Sequence, residues 1–212
     1  DTPAKEEPKK DGDDEQGRGG RQGGAGAAAP ANRAEKLVRW VAPFGKENVT
    51  TLATSATGFG GVTFTADMKS IAYTQSASGN VNYILEELGT GKKTTVYSYK
   101  SSEAKAAPGT WVTKDNENGV ATLHIHEGTI LFRGTETSND QKNPLYYAPR
   151  PYMNKVVMGT GKLENLWRSD ENAYETVDSI LSPDGSRFTI KRQTATQPVN
   201  EWVVEGGKKT VQ

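Results

Sequence analysis

Gly89-Thr90-Gly91-Lys92 recurs as Gly159-Thr160-Gly161-Lys162, and a shortened form returns as Gly206-Gly207-Lys208. Each copy lies between runs in which apolar residues alternate with polar ones: Val81, Tyr83 and Leu85 before the first, Tyr152, Val156 and Met158 before the second, Trp202 and Val204 before the third. After the turns come Val96, then Leu163 and Trp167, then Val211. Alternation with period two marks a strand with one face buried, and a Gly-rich turn between two such runs marks a hairpin. Three hairpins of one design predict a repeat architecture, because each unit must bury its apolar face against the next.

Other turns complete each unit. Val62 to Phe64 and Ile71 to Tyr73 flank Asp67-Met68-Lys69, Ala121 to His126 and Ile130 to Phe132 flank Glu127-Gly128, and Val177 to Leu181 precedes Ser182-Pro183-Asp184-Gly185. Proline presets one dihedral of that last turn and glycine accepts the positive φ beyond it. The second and third outer turns, from Gly159 to Gly206, lie 47 residues apart, the length of a propeller blade. The first and second lie 70 apart, which places insertions near Ser101 to Asn118 and Thr135 to Tyr147. The expectation is an all-β chain, an incomplete β-propeller of about three four-stranded blades over 49–100, 110–168 and 174–212, within a domain spanning 35–212. Three blades fall short of the four to eight that close a ring. The chain, which starts at Asp1, therefore reads as part of something longer.

Residues 1–34 read differently. They hold charge runs such as Lys5-Glu6-Glu7 and Asp13-Asp14-Glu15, a Gly-rich stretch, and no Val, Ile, Leu, Met or aromatic residue. Such a segment cannot bury enough apolar area to offset chain entropy, and a disordered linker or loop is expected. Arg18 and Arg21 among glycines make only a faint RNA-binding signature beside so many acidic neighbours.

Composition narrows function. Lys+Arg and Asp+Glu balance at 26 each, so no global field draws nucleic acid or an anionic membrane. No apolar run is long enough to span a bilayer. With no cysteine, disulfides and thiolate metal sites are excluded. Gly-x-Ser-x-Gly, the nucleophile turn of α/β-hydrolases, is absent. His124 and His126 alternate on an expected strand, two imidazoles on one face without a third ligand. Gly58-Phe59-Gly60-Gly61 lacks the lysine and helix of a phosphate loop. No catalytic, cofactor-binding or metal-binding residue is assigned, and no cofactor is expected. Trp40, Trp111, Trp167, Trp202 and the Tyr146-Tyr147 pair could form a ligand-stacking surface, but Trp167 and Trp202 occupy in-facing strand positions better suited to packing between blades. Arg150 and Arg192 border strands and are the candidates for substrate contact through a carboxylate, with a structural ion pair as the alternative for each.

The run Arg150-Pro151-Tyr152-Met153-Asn154-Lys155, Gly159-Thr160-Gly161-Lys162, Leu166-Trp167-Arg168 and Tyr174-Glu175 resembles the propeller of glutamyl endopeptidase-like serine peptidases of the prolyl oligopeptidase family. Arg192 to Asn200, Ala42-Pro43-Phe44, Ser101-Ser102-Glu103 and Pro108-Gly109 are similar to further landmarks of that family, and Asp11-Gly12-Asp13 faintly so. Gln193 and Gln197 stand where the family pattern has glutamates, and Ala195 and Val199 where it has prolines. The resemblance implies the later part of an N-terminal propeller that gates peptide substrates toward a C-terminal α/β-hydrolase domain, in a periplasmic or secreted protein. The triad would lie beyond Gln212, so no catalytic residue is carried over. The alternative is a non-catalytic TolB-like propeller for protein–protein interaction.

Overall fold

The computed structural model describes residues 34–211; the segment expected to be disordered lies outside them, apart from Ala34. Seventeen strands and three single 3-10 turns make up the described chain. A two-stranded sheet, β1 (Glu35–Trp40) with β2 (Val49–Ser55), comes first. A four-stranded meander follows: β3 (Gly60–Phe64), β4 (Ser70–Ala77), β5 (Asn80–Glu87) and β6 (Lys93–Lys100). Val49 thus belongs to the hairpin before this blade, which begins at Gly60 rather than near 49, because β2 finds its ladder partners on β1.

The second blade places β11 (Thr129–Glu136), β12 (Arg150–Val157) and β13 (Lys162–Arg168) beside an inner strand made of two pieces. β10 (Ile125–His126) pairs with the start of β11, whereas β7 (Thr110–Trp111) pairs with Phe132 and Arg133 further along. Between the two pieces in sequence sits a small hairpin, β8 (Thr113–Asp115) with β9 (Ala121–Leu123). The expected single strand from Ala121 to His126 is therefore broken at His124, whose N–H donates to Val112 O instead. The third blade is the meander β14 (Tyr174–Ile180), β15 (Arg187–Gln193), β16 (Asn200–Glu205) and β17 (Lys208–Val211).

The recurring turns share one geometry. Gly89 and Gly91, like Gly159 and Gly161, all take positive φ, and in both copies the lysine N–H reaches the threonine hydroxyl at 3.2 Å. Gly206 and Gly207 are both at positive φ, as a two-residue type I′ turn demands. The first two copies also carry a bulge seven residues past the first glycine: Val96 and Leu166 are the extra residues opposite β5 and β12. The bulge sends two consecutive side chains to one face, Val96 with Tyr97 and Leu166 with Trp167, where strict alternation allows one. Inner hairpin turns repeat as well. Thr65 Oγ1 donates to Asp67 in the first blade and Ser182 Oγ to Asp184 in the third, and each hydroxyl accepts the N–H five residues on. The Ser182 hydroxyl, followed by the Ser186 N–H and hydroxyl, holds the Asp184 carboxyl down at about 2.

Packing runs from blade to blade. Ala53, Ile71, Tyr73 and Ile84 join the first hairpin to the first blade. Ala72, Tyr83, Val96, Ile130, Phe132 and Val156 join the first blade to the second. Met153, Trp167, Phe188, Ile190 and Val204 join the second to the third. Each Val, Ile, Phe or Met side chain among them that is buried in full stabilises by roughly 1.5–3 kcal/mol. Trp167 is buried and Trp202 half-buried against this last cluster, where the alternation places them. Opposite faces of the third blade differ in character: Thr176, Lys191, Glu201, Thr189 and Thr210 point away from the second blade, with Val203 the one apolar residue on the same rows.

Pro108-Gly109 is clamped between blades. Tyr83 OH donates to Gly109 O at 2.8 Å from one side and Asn154 Nδ2 to Pro108 O at 3.0 Å from the other. Gly109 sits at φ 113°, and a Cβ there would lie 2.5 Å from Arg133 O. Gly109→Ala is expected to cost about 3 kcal/mol in urea unfolding, combining backbone strain with the clash. Gly79→Ala, at positive φ in open space, should cost only about 1 kcal/mol.

Candidate functional site

A cleft of about 980 Å³ opens where the second and third blades meet. Its walls come from the loop after β11, the start of β12, the end of β13 and the connection Ser169–Ala173 into β14. Tyr147 and Tyr174 present largely exposed rings to it. Tyr147 is held by the turn Pro144–Tyr146, whose N-terminus is capped by Asn143 through Leu145 N–H at 3.0 Å, and its ring meets Tyr146 edge-on at 4.8 Å.

The connection is fixed from both sides. Ser169 N–H donates to Pro151 O at 2.8 Å, and Arg150 Nη2 and Nε donate to Ser169 O at 2.7 and 3.1 Å. From the third blade, the Glu175 carboxylate accepts the Asp170 N–H at 2.9 Å. Glu175 is fully buried, and it also accepts from Arg192 of β15 and from Lys209 Nζ of β17 at 2.6 Å. One carboxylate therefore ties three strands and the connection together. A buried charge is tolerable only with partners of this kind. Arg192 in addition lies 3.5 Å from Asp170 and stacks over Trp202 at 5.8 Å.

The two candidate arginines thus occupy different settings. Arg192 sits behind the cleft with its guanidinium engaged by Glu175, Asp170 and the Trp202 face. Arg150 borders the cleft, and its Nη1 pairs at 2.8 Å with Glu171, whose side chain is 76% exposed. A solvent-facing pair of this kind is worth little and exchanges readily, so an incoming carboxylate can replace Glu171 on Nη1. Arg168, paired with Glu136, adds a second guanidinium to the same wall. The Tyr147 half of the Tyr146-Tyr147 pair thus lines the cleft, whereas the sequence offered no sign of Arg168 and Tyr174 as lining residues, although Arg168 closes the Leu-Trp-Arg landmark.

The histidines serve elsewhere. His124 is buried, and its Nε2–H donates to Pro183 O at 2.6 Å, tying the second blade to the Ser-Pro-Asp-Gly turn of the third. The bond requires the Nε2-protonated form, because a carbonyl oxygen only accepts. His126 is half-buried beside Glu127 at 3.9 Å. Among the described residues, no group of three or more histidines and carboxylates comes together as a metal cage would need. Nor is any helix there long and apolar enough to cross a membrane.

The fold and the cleft define an all-β array of propeller blades with an open, mixed-charge groove between two of them. No protein-family model matches the chain, and no curated protein matches it. Among solved structures it is similar to TolB from Acinetobacter baumannii, at 18% identity with a TM-score of 0.45 over 86% of this chain. The chain spans 38% of the length of that protein.

Removing the Glu175 carboxylate leaves Arg192 and Lys209 without their buried partner. Glu175→Ala is expected to destabilise by about 3–5 kcal/mol in denaturant unfolding. Arg150→Ala, which breaks an exposed pair and two bonds to a carbonyl, should cost no more than about 2 kcal/mol.

Proposed function

We propose that this chain is a non-catalytic propeller segment that binds an extended polypeptide in the cleft between its second and third blades. The observation that carries the reading is the Arg150 guanidinium, held in place by Ser169 O and facing the groove through an exchangeable Nη1–Glu171 pair. Its fixed orientation suits a peptide carboxylate, and Tyr147 and Tyr174 offer flat apolar rings with polar tips to the rest of the chain. The groove volume lies in the range of sites that enclose a small ligand or a few residues of peptide.

A second reading is favoured by where the familiar landmarks fall. Arg150, Arg168, Tyr174 and Gln193 to Ala195, which belong to the stretches that resemble prolyl oligopeptidase-type peptidases, line this cleft. On that reading the groove lies on the route by which peptides reach a hydrolase domain outside this chain, in a periplasmic or secreted protein. Peptide binding is common to both readings, and catalysis belongs to the partner domain in the second.

Fluorescence anisotropy with a labelled pool of unstructured peptides tests the proposal. Saturable binding is expected, weakened roughly tenfold by Arg150→Met, which corresponds to about 1.4 kcal/mol. Mass spectrometry should show the peptides intact after incubation. Absence of saturable binding would sink the proposal, and cleavage by the pure chain would overturn its non-catalytic part.

A further inference from the structure

Every charged side chain that lines the cleft between the second and third blades already has a partner. Arg150 Nη1 pairs with Glu171 at 2.8 Å, Arg168 with Glu136, and Asp170 with Arg192 at 3.5 Å from behind the wall. A ligand's charge therefore enters this groove by exchange and not by filling a gap. The pairs differ in how readily they open. Asp170 also accepts the Asn172 N–H at 3.1 Å, and that bond, followed by the charges of Lys209 and Arg192, holds its carboxyl below the usual carboxylate range. Glu136 is half-buried, and it faces Arg150 across the β11–β12 ladder as well as pairing with Arg168. Glu171 stands in the turn before β14 with its side chain 76% exposed, and among the described residues Arg150 is its one ion-pair partner. It is the carboxylate free to move. Arg150 stays in place when it does, because Nε and Nη2 remain on the carbonyl of buried Ser169.

We propose that the groove selects peptides carrying a carboxylate and a cation two residues apart, by swapping ion pairs: the ligand carboxylate takes Arg150 Nη1, and the displaced Glu171 takes the ligand cation. The inference rests on the cleft being a peptide site and adds the charge pattern that the site reads. A swap leaves as many ion pairs as it found. A lone carboxylate instead strands Glu171 beside Asp170, with one negative charge in excess, and a second carboxylate adds further repulsion. A lone cation fares no better, since it can take Glu171 only by leaving the Arg150 guanidinium without its carboxylate. Side chains two residues apart on an extended chain share a face and stand about 7 Å apart, so both charges of such a ligand point into the groove together. Glu171 is then a tethered competitor, which disfavours purely acidic chains and yields to a matched one.

Three labelled peptides, of one unstructured sequence with Glu-x-Lys, Glu-x-Gln or Glu-x-Glu at its centre, test the swap by fluorescence anisotropy against the wild-type chain and Glu171→Gln. The wild-type chain is expected to bind Glu-x-Lys about fivefold more tightly than Glu-x-Gln, the upper end of what a solvent-facing pair supplies, and Glu-x-Glu most weakly. In Glu171→Gln the competitor is gone. Glu-x-Gln should then bind about threefold more tightly than to wild type, and the advantage of lysine should vanish. A lysine preference that survives Glu171→Gln overturns the swap, because another carboxylate would be reading the cation. Equal binding of the three peptides to the wild-type chain overturns it too, and if Arg150→Met still weakens them the peptide reading of the cleft stands. Absence of saturable binding to both proteins would remove that reading and the swap together.

Discussion

A four-stranded antiparallel sheet with apolar side chains on both faces is stable only with a neighbour on each side, and every other feature of this chain follows from that requirement. The first blade shows it most plainly. Ile71, Tyr73 and Ile84 pack back toward the opening hairpin, whereas Ala72, Tyr83 and Val96 pack forward onto the second blade. Neither face can be wetted without exposing several large side chains at once, so the blades stand or fall together. Tyr73 donates to buried Glu86 at 2.8 Å, and burial, reinforced by that carboxylate, pushes the Tyr73 hydroxyl far above its ordinary range. The buried indole N–H groups of Trp111 and Trp167, by contrast, find no partner among the described residues.

The requirement relaxes at the two ends in opposite ways. At one end, among the described residues, Val38, Trp40, Phe44 and Val49 of the first hairpin and its turn are exposed. At the other, the outer face of the third blade carries Lys191 and Glu201 beside Thr176, Thr189, Val203 and Thr210. Between the second and third blades the chain must cross from β13 to β14, and that crossing is where binding chemistry gathers. Arg150 grips the connection from one side and Glu175 from the other. The groove is rigid where it is built on these anchors and exchangeable at the exposed Glu171.

Much of the fold was legible because turn chemistry and strand alternation are local. Asp67-Met68-Lys69, Glu127-Gly128 and Ser-Pro-Asp-Gly all sit at the tips of inner hairpins, and the Gly-Thr-Gly-Lys phrases at the outer ones. The shared hydroxyl-x-Asp device of Thr65/Asp67 and Ser182/Asp184 was present in the sequence and could have aligned the first and third blades. What misled the alternation was non-local. The inner strand of the second blade is assembled from residues 110–111 and 125–126, fourteen positions apart, and no periodicity reports a strand built from two pieces. His124 looked like one of a pair on a strand, and its role is set by a carbonyl 59 residues away.

The candidate site divides along the same line. Sequence alone determined that Arg150 and Arg192 flank strands, that Glu175 opens the third blade, and that the chain is a series of hairpins needing neighbours. These are properties of spacing and of residue type. Which arginine faces a groove was decided only by the tertiary structure. Both have the same chemistry and comparable strand positions, but Arg192 lies among Glu175, Asp170 and Trp202, and Arg150 meets only a carbonyl and an exposed glutamate. The difference arises from the partners that folding brings to each guanidinium, Glu175 and Asp170 from other segments for Arg192 and Ser169 O with Glu171 for Arg150, and strand spacing does not report which partners those are.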